Sequence, residues 1–265
     1  MPTIKKYIKT YNSRTLWGKL RVSRMLRRDP ATAHFVPRTA DFSRKQLKKM
    51  ASRFEILYIK PNIGSLGIGI HKLRRRKGGG YQLTSVISRK QISRAFGNLD
   101  QVYEHIRKTR KFGKLIIQRG IPLDRIEGKP YDIRAMVQRK PNGPWTCTAL
   151  IAKVALPNRI VTNAHQGAKL YQLSRLWKMQ GMRAAPALAN NEFIEESALK
   201  ISKSLSRRYG GMREMGIDFA IDRSKRLWVL EVNTNHPQYG AFKKIDRAAY
   251  NRVKSFARSY GRKDD

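Results

Sequence analysis

Two carboxylates and an amide near the end of the chain have types and spacing that could bind a metal ion. They are Asp218, Glu231 and Asn233, in the stretch GIDFAIDRSKRLWVLEVN. If Ser224 and Lys225 form a two-residue turn, Asp218 lies directly opposite Glu231, about 4.5 to 5.5 Å away on one sheet face. Two bare carboxylates at this separation repel, and a divalent cation removes that cost. Asn233 projects from the same face and supplies a third oxygen, so the pattern indicates a magnesium site.

The same carboxylates also have a simpler interpretation. The chain contains 57 Lys and Arg against 18 Asp and Glu, a net charge of +39, so Asp218 and Glu231 could only offset neighbouring basic charge. A register slip of one residue would turn Asp218 to the opposite face of the sheet. The apolar flanks of LWVLEVN favour the metal site, because glutamate is rarely buried without a partner.

A glycine-rich loop near the start of the chain is the second candidate site. In FEILYIKPNIGSLGIGIHKL, residues 54–73, two apolar runs flank Lys60, Gly64, Ser65 and Gly67. The P-loop and the dinucleotide fingerprint are excluded, because the first needs Lys and Ser or Thr after its last glycine and the second needs a following helix. Two interpretations stay open: a flap that covers a triphosphate while Lys60 contacts its oxygens, and an ordinary hairpin with Lys60 as a surface cation.

Composition limits the class of protein. With 265 residues, of which 40% are apolar, the chain is long enough for a substantial core and is not a disordered basic tail. The single Cys147 excludes an internal disulfide and fits a reducing compartment, for which cytosol is the simplest choice. No apolar run is long enough for a membrane span, and no secretion signal is visible. The charge predicts non-specific binding of polyanions, including nucleic acid.

The patterns predict elements that would position the first candidate site. Residues 1–50 form a basic, largely helical segment, in which Ser43 is a candidate N-cap. In residues 51–120, FEILYI, IGIHKL and YQLTSVI predict a three-stranded meander around the glycine loop. QISRAFGNLDQVYEHIRK has helical spacing that is interrupted at a glycine, and KLIIQRGI predicts a buried strand.

Residues 121–265 are predicted to form a second lobe that carries the carboxylates. In YDIRAMVQR, residues 132, 134, 136 and 138 share one face and residues 131, 133, 135 and 137 the other. TCTALIAKVAL and RIVTN are its predicted sheet partners. ANNEFIEESALKISKSLSRRYG predicts the longest helix, capped by Asn190 or Asn191, and DRAAYNRVKSFARSY predicts a final helix.

Five stretches in this order resemble ATP-grasp ligases and, more narrowly, the YheC/YheD family of endospore coat-associated ATP-grasp proteins. The stretches are YIKPNIGSLGIGI, LIIQRGIPL, YDIRAMVQR, IVTNAHQGA and MGIDFAID with LWVLEVNTNHP. The resemblance covers about residues 15–260. It implies an α+β ATP-grasp fold, in which two α+β lobes with antiparallel sheets grip the nucleotide. The α/β domain that usually precedes these lobes is expected to be absent or reduced.

The resemblance also implies roles for individual residues. Phosphate binding falls to Lys60, Gly64, Ser65 and Gly67, adenine binding to a hinge containing Gln118, Arg119 and Ile121, and magnesium or manganese binding to Asp218, Glu231 and Asn233. Arg134, Lys153 and Asn163 are expected near the transferred phosphoryl group. The resemblance implies an arginine where Lys153 stands, and lysine binds phosphate as a point charge. Ala168 replaces a second glycine after Gly167.

The implied activity is an ATP- and magnesium-dependent ligation of a carboxylate to an amine through an acyl-phosphate. The charge suggests an acidic polymer or peptide as acceptor. The alternative is a non-catalytic protein that binds nucleic acid or another polyanion on an ATP-grasp scaffold. Association with the developing spore follows from the resemblance only.

Overall fold

Two six-stranded antiparallel sheets organise the computed structural model, which describes residues 8–88, 90–110 and 113–263. The first residues of the predicted helical segment, 1–7, lie outside these ranges. The first sheet contains β1 (Thr39–Asp41), β2 (Ile56–Pro61), β3 (His71–Arg75), β4 (Tyr81–Ile87), β5 (Lys90–Phe96) and β6 (Leu115–Arg119). The second contains β7 (Arg125–Ile126), β8 (Lys129–Gln138), β9 (Thr146–Val154), β10 (Lys169–Tyr171), β11 (Glu214–Ile221) and β12 (Leu227–Asn233).

Eight α-helices and one short 3-10 helix accompany the sheets in the described residues. They are α1 (Lys19–Arg27), α2 (Pro30–Ala33), α3 (Arg44–Ala51), α4 (Leu99–Thr109), α5 (Leu173–Met179), α6 (Ala184–Arg208), α7 (Gly240–Ile245), α8 (Arg247–Ser259) and the 3-10 helix Ala164–Gln166. In this part of the chain no helix is both long and apolar enough to cross a bilayer. The architecture confirms the expected α+β class.

The first sheet has the strand order β1-β6-β2-β3-β4-β5 and contains the glycine loop between β2 and β3. The predicted helix over residues 91–108 is wrong in its first half, because residues 90–96 form β5 and pair with all of β4. The helix α4 begins only at Leu99, where the side chain of Asn98 accepts a hydrogen bond from the Gln101 amide at 3.0 Å. Most of β5 is exposed, so its apolar periodicity is too weak to reveal a strand.

The second sheet has the order β10-β9-β8-β11-β12, and β7 pairs with β8. The predicted faces of β8 are confirmed: Tyr131, Ile133, Ala135 and Val137 belong to the core that also contains residues of α1, α5 and α6. Met136 on the opposite face packs with residues of α7 and α8. Each face of this strand is therefore covered, and only its end near Asp132 and Arg134 is left for a site.

Two sequence-based assignments in the second lobe are wrong. The segment RIVTN forms no strand; instead β10 pairs with β9. The backbone of this segment instead hydrogen bonds to side chains of the first sheet. The Ile160 carbonyl accepts from the Tyr58 hydroxyl, and the Ile160 amide donates to Gln91 Oε1. The long helix α6 begins after Arg183, not at the predicted asparagines. Asn191 lies inside it and accepts a hydrogen bond from the Trp177 indole at 2.8 Å.

Candidate functional site

The hairpin β11–β12 places Asp218 opposite Glu231, as predicted, but by a different route. The turn has three residues rather than two, because the Asp222 amide donates to the Arg226 carbonyl at 3.0 Å. Lys225 adopts the left-handed conformation (φ 62°) that such three-residue hairpin loops require. The longer turn shifts the pairing of the two strands by one residue relative to the predicted register. A bulge between the pairs Phe219–Val229 and Asp218–Glu231 then restores the predicted register.

The bulge also creates a binding position for Lys60. Leu230 is the unpaired residue of the bulge, and its carbonyl accepts a hydrogen bond from Lys60 Nζ at 3.2 Å. Lys60 is only 8% exposed, so it is not a surface cation. Burial lowers the pKa of Lys60 to about 8, although the Glu231 carboxylate opposes the shift. An ammonium has three donors, so this buried cation can bind a further anionic acceptor.

Asp218 is held by a bidentate ion pair with Arg134. Arg134 Nε lies 2.8 Å from Asp218 Oδ1, and its Nη2 donates to Oδ2 at 3.1 Å. The remaining nitrogen, Nη1, is buried and has no hydrogen-bond partner among the described residues. A Cβ atom on Gly216 would lie 2.2 Å from this nitrogen, so the glycine provides the space for the guanidinium. An unpartnered buried donor of this kind can bind an anion.

Lys153 lies between two carboxylates rather than toward open space. Its Nζ is 2.8 Å from Asp218 Oδ1 and 2.8 Å from Asp132 Oδ1. Burial acts to lower the pKa of Lys153, but the two carboxylates together raise it. Burial raises the pKa of Asp132 to about 6, against the effect of Lys153. The Thr162 hydroxyl also donates to Asp132.

The cation Lys19 approaches the same centre from α1. Its Nζ lies 3.1 Å from Glu231 Oε1 and donates to the Gly64 carbonyl at 2.9 Å. Lys19 therefore connects the glycine loop to Glu231, one of the three predicted metal ligands. The assumption of two bare carboxylates is wrong, because Lys19 compensates Glu231 while Arg134 and Lys153 compensate Asp218.

The glycine loop contacts the second lobe through the segment that carries Asn163. The Gln166 amide donates to the carbonyls of Leu66 and Ser88 at 3.0 and 2.9 Å. A Cβ atom on Gly67, where φ is +72°, would lie 3.5 Å from Asn163 Cβ. Asn163 itself caps the 3-10 helix, because its Oδ1 accepts from the His165 amide at 2.8 Å. The loop is thus closed over the second sheet.

The three predicted hinge residues lie at the end of β6. The Gln118 side chain donates to Thr39 Oγ1 at 2.9 Å and is buried in the first sheet. The Arg119 guanidinium stacks on the rings of Phe54 and Trp228. Ile121 is buried in a small apolar cluster with Trp228 and Leu230. Ile121 is therefore the apolar member of the three, and it packs against β12, the strand that contains the bulge.

The cations of this centre suit the phosphates of ATP, and its carboxylate and amide oxygens suit magnesium. Lys60 and Arg134 Nη1 offer buried positive charge with unused donors. Asp218, Glu231 and Asn233 offer the oxygen ligands that magnesium prefers. Asn233 Oδ1 accepts from the Asn235 amide at 3.0 Å, and Lys19 occupies Glu231, so a metal ion would have to displace at least the lysine. Among the described residues no group of three His, Cys, Asp or Glu side chains surrounds a common metal position.

Several residues of this centre have no individual signal in the sequence. Lys19 is one of 57 basic residues, and its partner Glu231 is more than 200 positions away. Thr162 lies in RIVTN, for which the sequence predicts a strand, and Gln166 follows that segment. Asp132 was placed on the correct face, and the apolar alternation of β8 was the signal that identified it.

A family model described as YheC/D-like ATP-grasp matches residues 7–262 of the chain. The endospore coat-associated protein YheD of Bacillus subtilis (strain 168) is 28% identical over 238 residues. This alignment covers 87% of the chain and 51% of YheD, so the chain spans about half the length of that relative.

Solved structures with the same fold include the C-terminal domain of K. lactis Pby1, an ATP-grasp enzyme interacting with the mRNA decapping enzyme Dcp2. It has a TM-score of 0.54 and 13% identity, over 92% of this chain and 72% of that domain. The VanG D-Ala:D-Ser ligase from Enterococcus faecalis has a TM-score of 0.52 and 16% identity, over 90% of this chain and 61% of the ligase. At these identities the likeness shows the fold alone.

Proposed function

Because the chain belongs to the YheC/D-like ATP-grasp family, we propose that it binds ATP between its two sheets and ligates a carboxylate to an amine. Lys60, Gly64, Ser65 and Gly67 hold the phosphates, and Gln118, Arg119 and Ile121 form the adenine hinge. Magnesium, bound by Asp218, Glu231 and Asn233, offsets charge on the phosphates. Manganese has the same preference for oxygen ligands and can replace it.

The reaction proceeds in two steps. A carboxylate oxygen of the acceptor attacks the γ-phosphorus, the bond to the β-phosphate oxygen breaks, and ADP leaves. The amine then attacks the acyl carbon, and inorganic phosphate leaves as the amide forms. Arg134 Nη1 stabilises the charge on the transferred phosphoryl group. Lys153 and Asn163 act at the edge of this centre: Lys153 bridges Asp132 and Asp218 and offsets their repulsion, and Asn163 keeps its loop against the flap.

The observation that supports this proposal most is the pair of cations Lys60 and Arg134. Within the described residues Lys60, which is buried, donates only to a bulge carbonyl, and Arg134, which is partly exposed, keeps one buried nitrogen without a partner. Unused donors in a buried position are costly unless a ligand satisfies them. Both cations lie next to the Asp218 and Glu231 strands, where the phosphates of a metal-bound nucleotide need positive charge.

The test is calorimetric binding of a slowly hydrolysed ATP analogue, with and without magnesium. Lys60→Ala should weaken binding about 10- to 100-fold, because a hydrogen bond to a charged group is worth about 1.5–3 kcal/mol. The control is Lys45→Ala, which removes an exposed lysine from α3. Glu231→Gln should reduce the benefit of magnesium. Wild-type affinity in folded Lys60→Ala would contradict the assignment of this lysine.

Ligase activity needs its own measurement. Wild-type protein with Mg-ATP is screened against carboxylate and amine pairs for ADP release, and the amide product is identified by mass spectrometry. Arg134→Met should weaken nucleotide binding at least tenfold and should abolish release even at saturating Mg-ATP. ADP release that requires no amine would indicate a kinase or an ATPase instead.

A non-catalytic scaffold is the second candidate, and one observation favours it. Lys19, Arg134 and Lys153 already compensate the predicted metal ligands, so the site is electrically satisfied without an ion. If the folded wild-type protein binds no nucleotide with or without magnesium, polyanion binding on an inactive ATP-grasp fold becomes the better explanation.

We also propose a cytoplasmic location with association with the developing spore, and this rests on the likeness to endospore coat-associated YheD alone. A fluorescent fusion should concentrate at the forespore during sporulation. A signal that stays uniform throughout sporulation would remove this proposal without affecting the proposed chemistry.

A further inference from the structure

A basic cavity of about 590 Å³ lies beside α1, outside the ATP site. Four arginines and one lysine line it, together with Leu20, Met25 and Asn62: Arg21, Arg24, Arg28, Lys114 and Arg208. Its size is in the range of sites that bind a ligand or a short peptide segment. The lining contains neither a carboxylate nor an aromatic side chain.

The cations of this cavity are compensated only in part. Arg24 and Lys114 share a single carboxylate, Asp41, at 2.8 and 2.7 Å. Both cations lower the pKa of Asp41, so it stays ionised at neutral pH. Arg21 lies over the Tyr209 ring, and Arg208 donates to a backbone carbonyl, contacts that leave their charges uncompensated. The cavity therefore has a local excess of positive charge that an anionic ligand would neutralise.

The arrangement of the arginines leads toward the glycine loop. Residues 21, 24 and 28 follow the i, i+3, i+7 spacing and form one stripe along α1. The cavity also reaches Asn62, which directly follows β2 at the start of the glycine loop and accepts a hydrogen bond from the Leu20 amide at 3.0 Å. Nine helical residues span about 14 Å, the length of about four extended residues. A chain lying along the stripe would have one end next to the phosphate flap.

We propose that this cavity binds an acidic peptide segment, rich in Asp or Glu, whose carboxylate is the acceptor of the reaction. Guanidinium groups bind carboxylates with two parallel hydrogen bonds, which suits a row of arginines. The absence of aromatic lining argues against single-stranded nucleic acid, whose bases stack on aromatic side chains. The acceptor role rests on the proposed ligase function, whereas the binding of acidic peptide does not.

A second basic cavity, of about 340 Å³, provides a matched control. Its lining also includes exposed cations, among them Lys49 on α3 and Arg53 two residues after this helix. It differs by containing Phe54 and Trp228, whose rings Arg119 and Arg226 already cover. Neutralising two cations in either cavity changes the net charge of the protein equally, so a difference between them reports location and not overall charge.

The experiment measures fluorescence anisotropy of labelled hexaglutamate with the full chain, at low and at physiological salt. Arg24→Gln with Arg28→Gln should weaken binding about tenfold, because two exposed charge pairs are lost. Lys49→Gln with Arg53→Gln should change it by less than about threefold. Lys114 still pairs with Asp41 in the first variant, and thermal melting confirms that both variants are folded.

The outcomes separate this proposal from the ligase proposal. Selective loss in the α1 variant supports the cavity even if the ATP analogue fails to bind to wild type. Equal loss in both variants, or no binding of hexaglutamate, overturns it, because charge alone then explains the data. A single-stranded RNA octamer that competes with hexaglutamate and loses more affinity than hexaglutamate in the α1 variant would reassign the cavity to nucleic acid.

Discussion

Two buried carboxylates on the strand β11 have similar positions but different surroundings. Glu214 and Asp218 lie four residues apart on one sheet face, and each pairs with an arginine and a lysine. Glu214 is completely buried, and its oxygens are fully used. Its partners are Tyr11 and Tyr239 at 2.5 Å, Tyr260 at 3.1 Å, Arg262 at 2.8 Å and Lys9 at 3.6 Å.

The Glu214 cluster joins the two ends of the described chain to the second sheet. Tyr11 comes from the first segment, and Tyr260 and Arg262 from the end of α8. Burial and the negative charge of Glu214 both raise the pKa values of these tyrosines, which therefore stay protonated as donors. Such a saturated network has no capacity for a ligand, and it acts as a structural connection.

The Asp218 cluster has the same charges but leaves capacity unused. In the part of the chain that the structure describes, Arg134 Nη1 has no partner, and Lys60 makes a single hydrogen bond, to the Leu230 carbonyl. Burial of an ion pair alone therefore does not distinguish a ligand site from a structural connection. Donors without acceptors next to the pair do so, because a ligand is needed to satisfy them.

The largest effect is expected from removing the structural charge. Glu214→Gln leaves Arg262 buried without its carboxylate and should lower the free energy of unfolding by about 3–5 kcal/mol. Asp218→Asn should cost less, because Arg134 is partly exposed to water and Lys153 keeps Asp132. Urea unfolding measures both, with the exposed Glu196→Gln as a control. Equal costs for the two substitutions would remove the distinction between the clusters.

The next effect concerns the space beside Arg134. Gly216→Ala places a Cβ atom where Arg134 Nη1 now lies, and the flexible guanidinium must move. We expect the free energy of unfolding to fall by less than about 1.5 kcal/mol. Binding of the ATP analogue should nevertheless weaken at least tenfold, as when a hydrogen bond to a charged group is lost. In an Arg134→Met background the same substitution should have little effect on binding. An unchanged penalty in that background would show that the guanidinium is not the affected group.

The third effect is a pH dependence of nucleotide binding. The pKa of Lys60 is lowered to about 8 by burial, so the cation proposed to bind phosphate is lost as the pH rises through this value. Affinity for the ATP analogue should be level below about pH 7 and should fall up to tenfold per pH unit above 8. Lys60→Arg keeps its charge and should remove the slope between pH 8 and 9.5. A slope that persists in this variant would assign the titration to another group.

The smallest effect is expected at Lys19, which would compete with the proposed metal ion for Glu231. Lys19→Met should increase, by a few-fold, the gain in analogue affinity that magnesium produces. The size follows because a partly exposed ion pair is worth up to about 1 kcal/mol. Lys45→Met on α3 is the control for a general change in charge. A weaker magnesium dependence would mean that Lys19 itself contacts the phosphates.

Much of the second sheet could be predicted because its signals are local. The alternation in YDIRAMVQR correctly separated the core face from the face that bears Asp132 and Arg134. Ser43 was recognised as a cap, and its side chain accepts from the Gln46 amide at 3.2 Å. By contrast, β5 was mistaken for a helix because it is exposed on most of its length and is recognisable only by its pairing with β4.

Local patterns were enough to predict the family, the α+β class and the two faces of β8, because periodicity and motif order are properties of neighbouring residues. The pairing of Asp218 with Glu231 is predicted from a two-residue turn, but a three-residue turn and a bulge together produce it. The compensation of the charges on these carboxylates depends on the tertiary structure. The bulge at Leu230, the approach of Lys19 and the connection of Tyr11 and Arg262 to Glu214 depend on contacts between distant segments. Such contacts are set by the path of the whole chain, which no local pattern encodes.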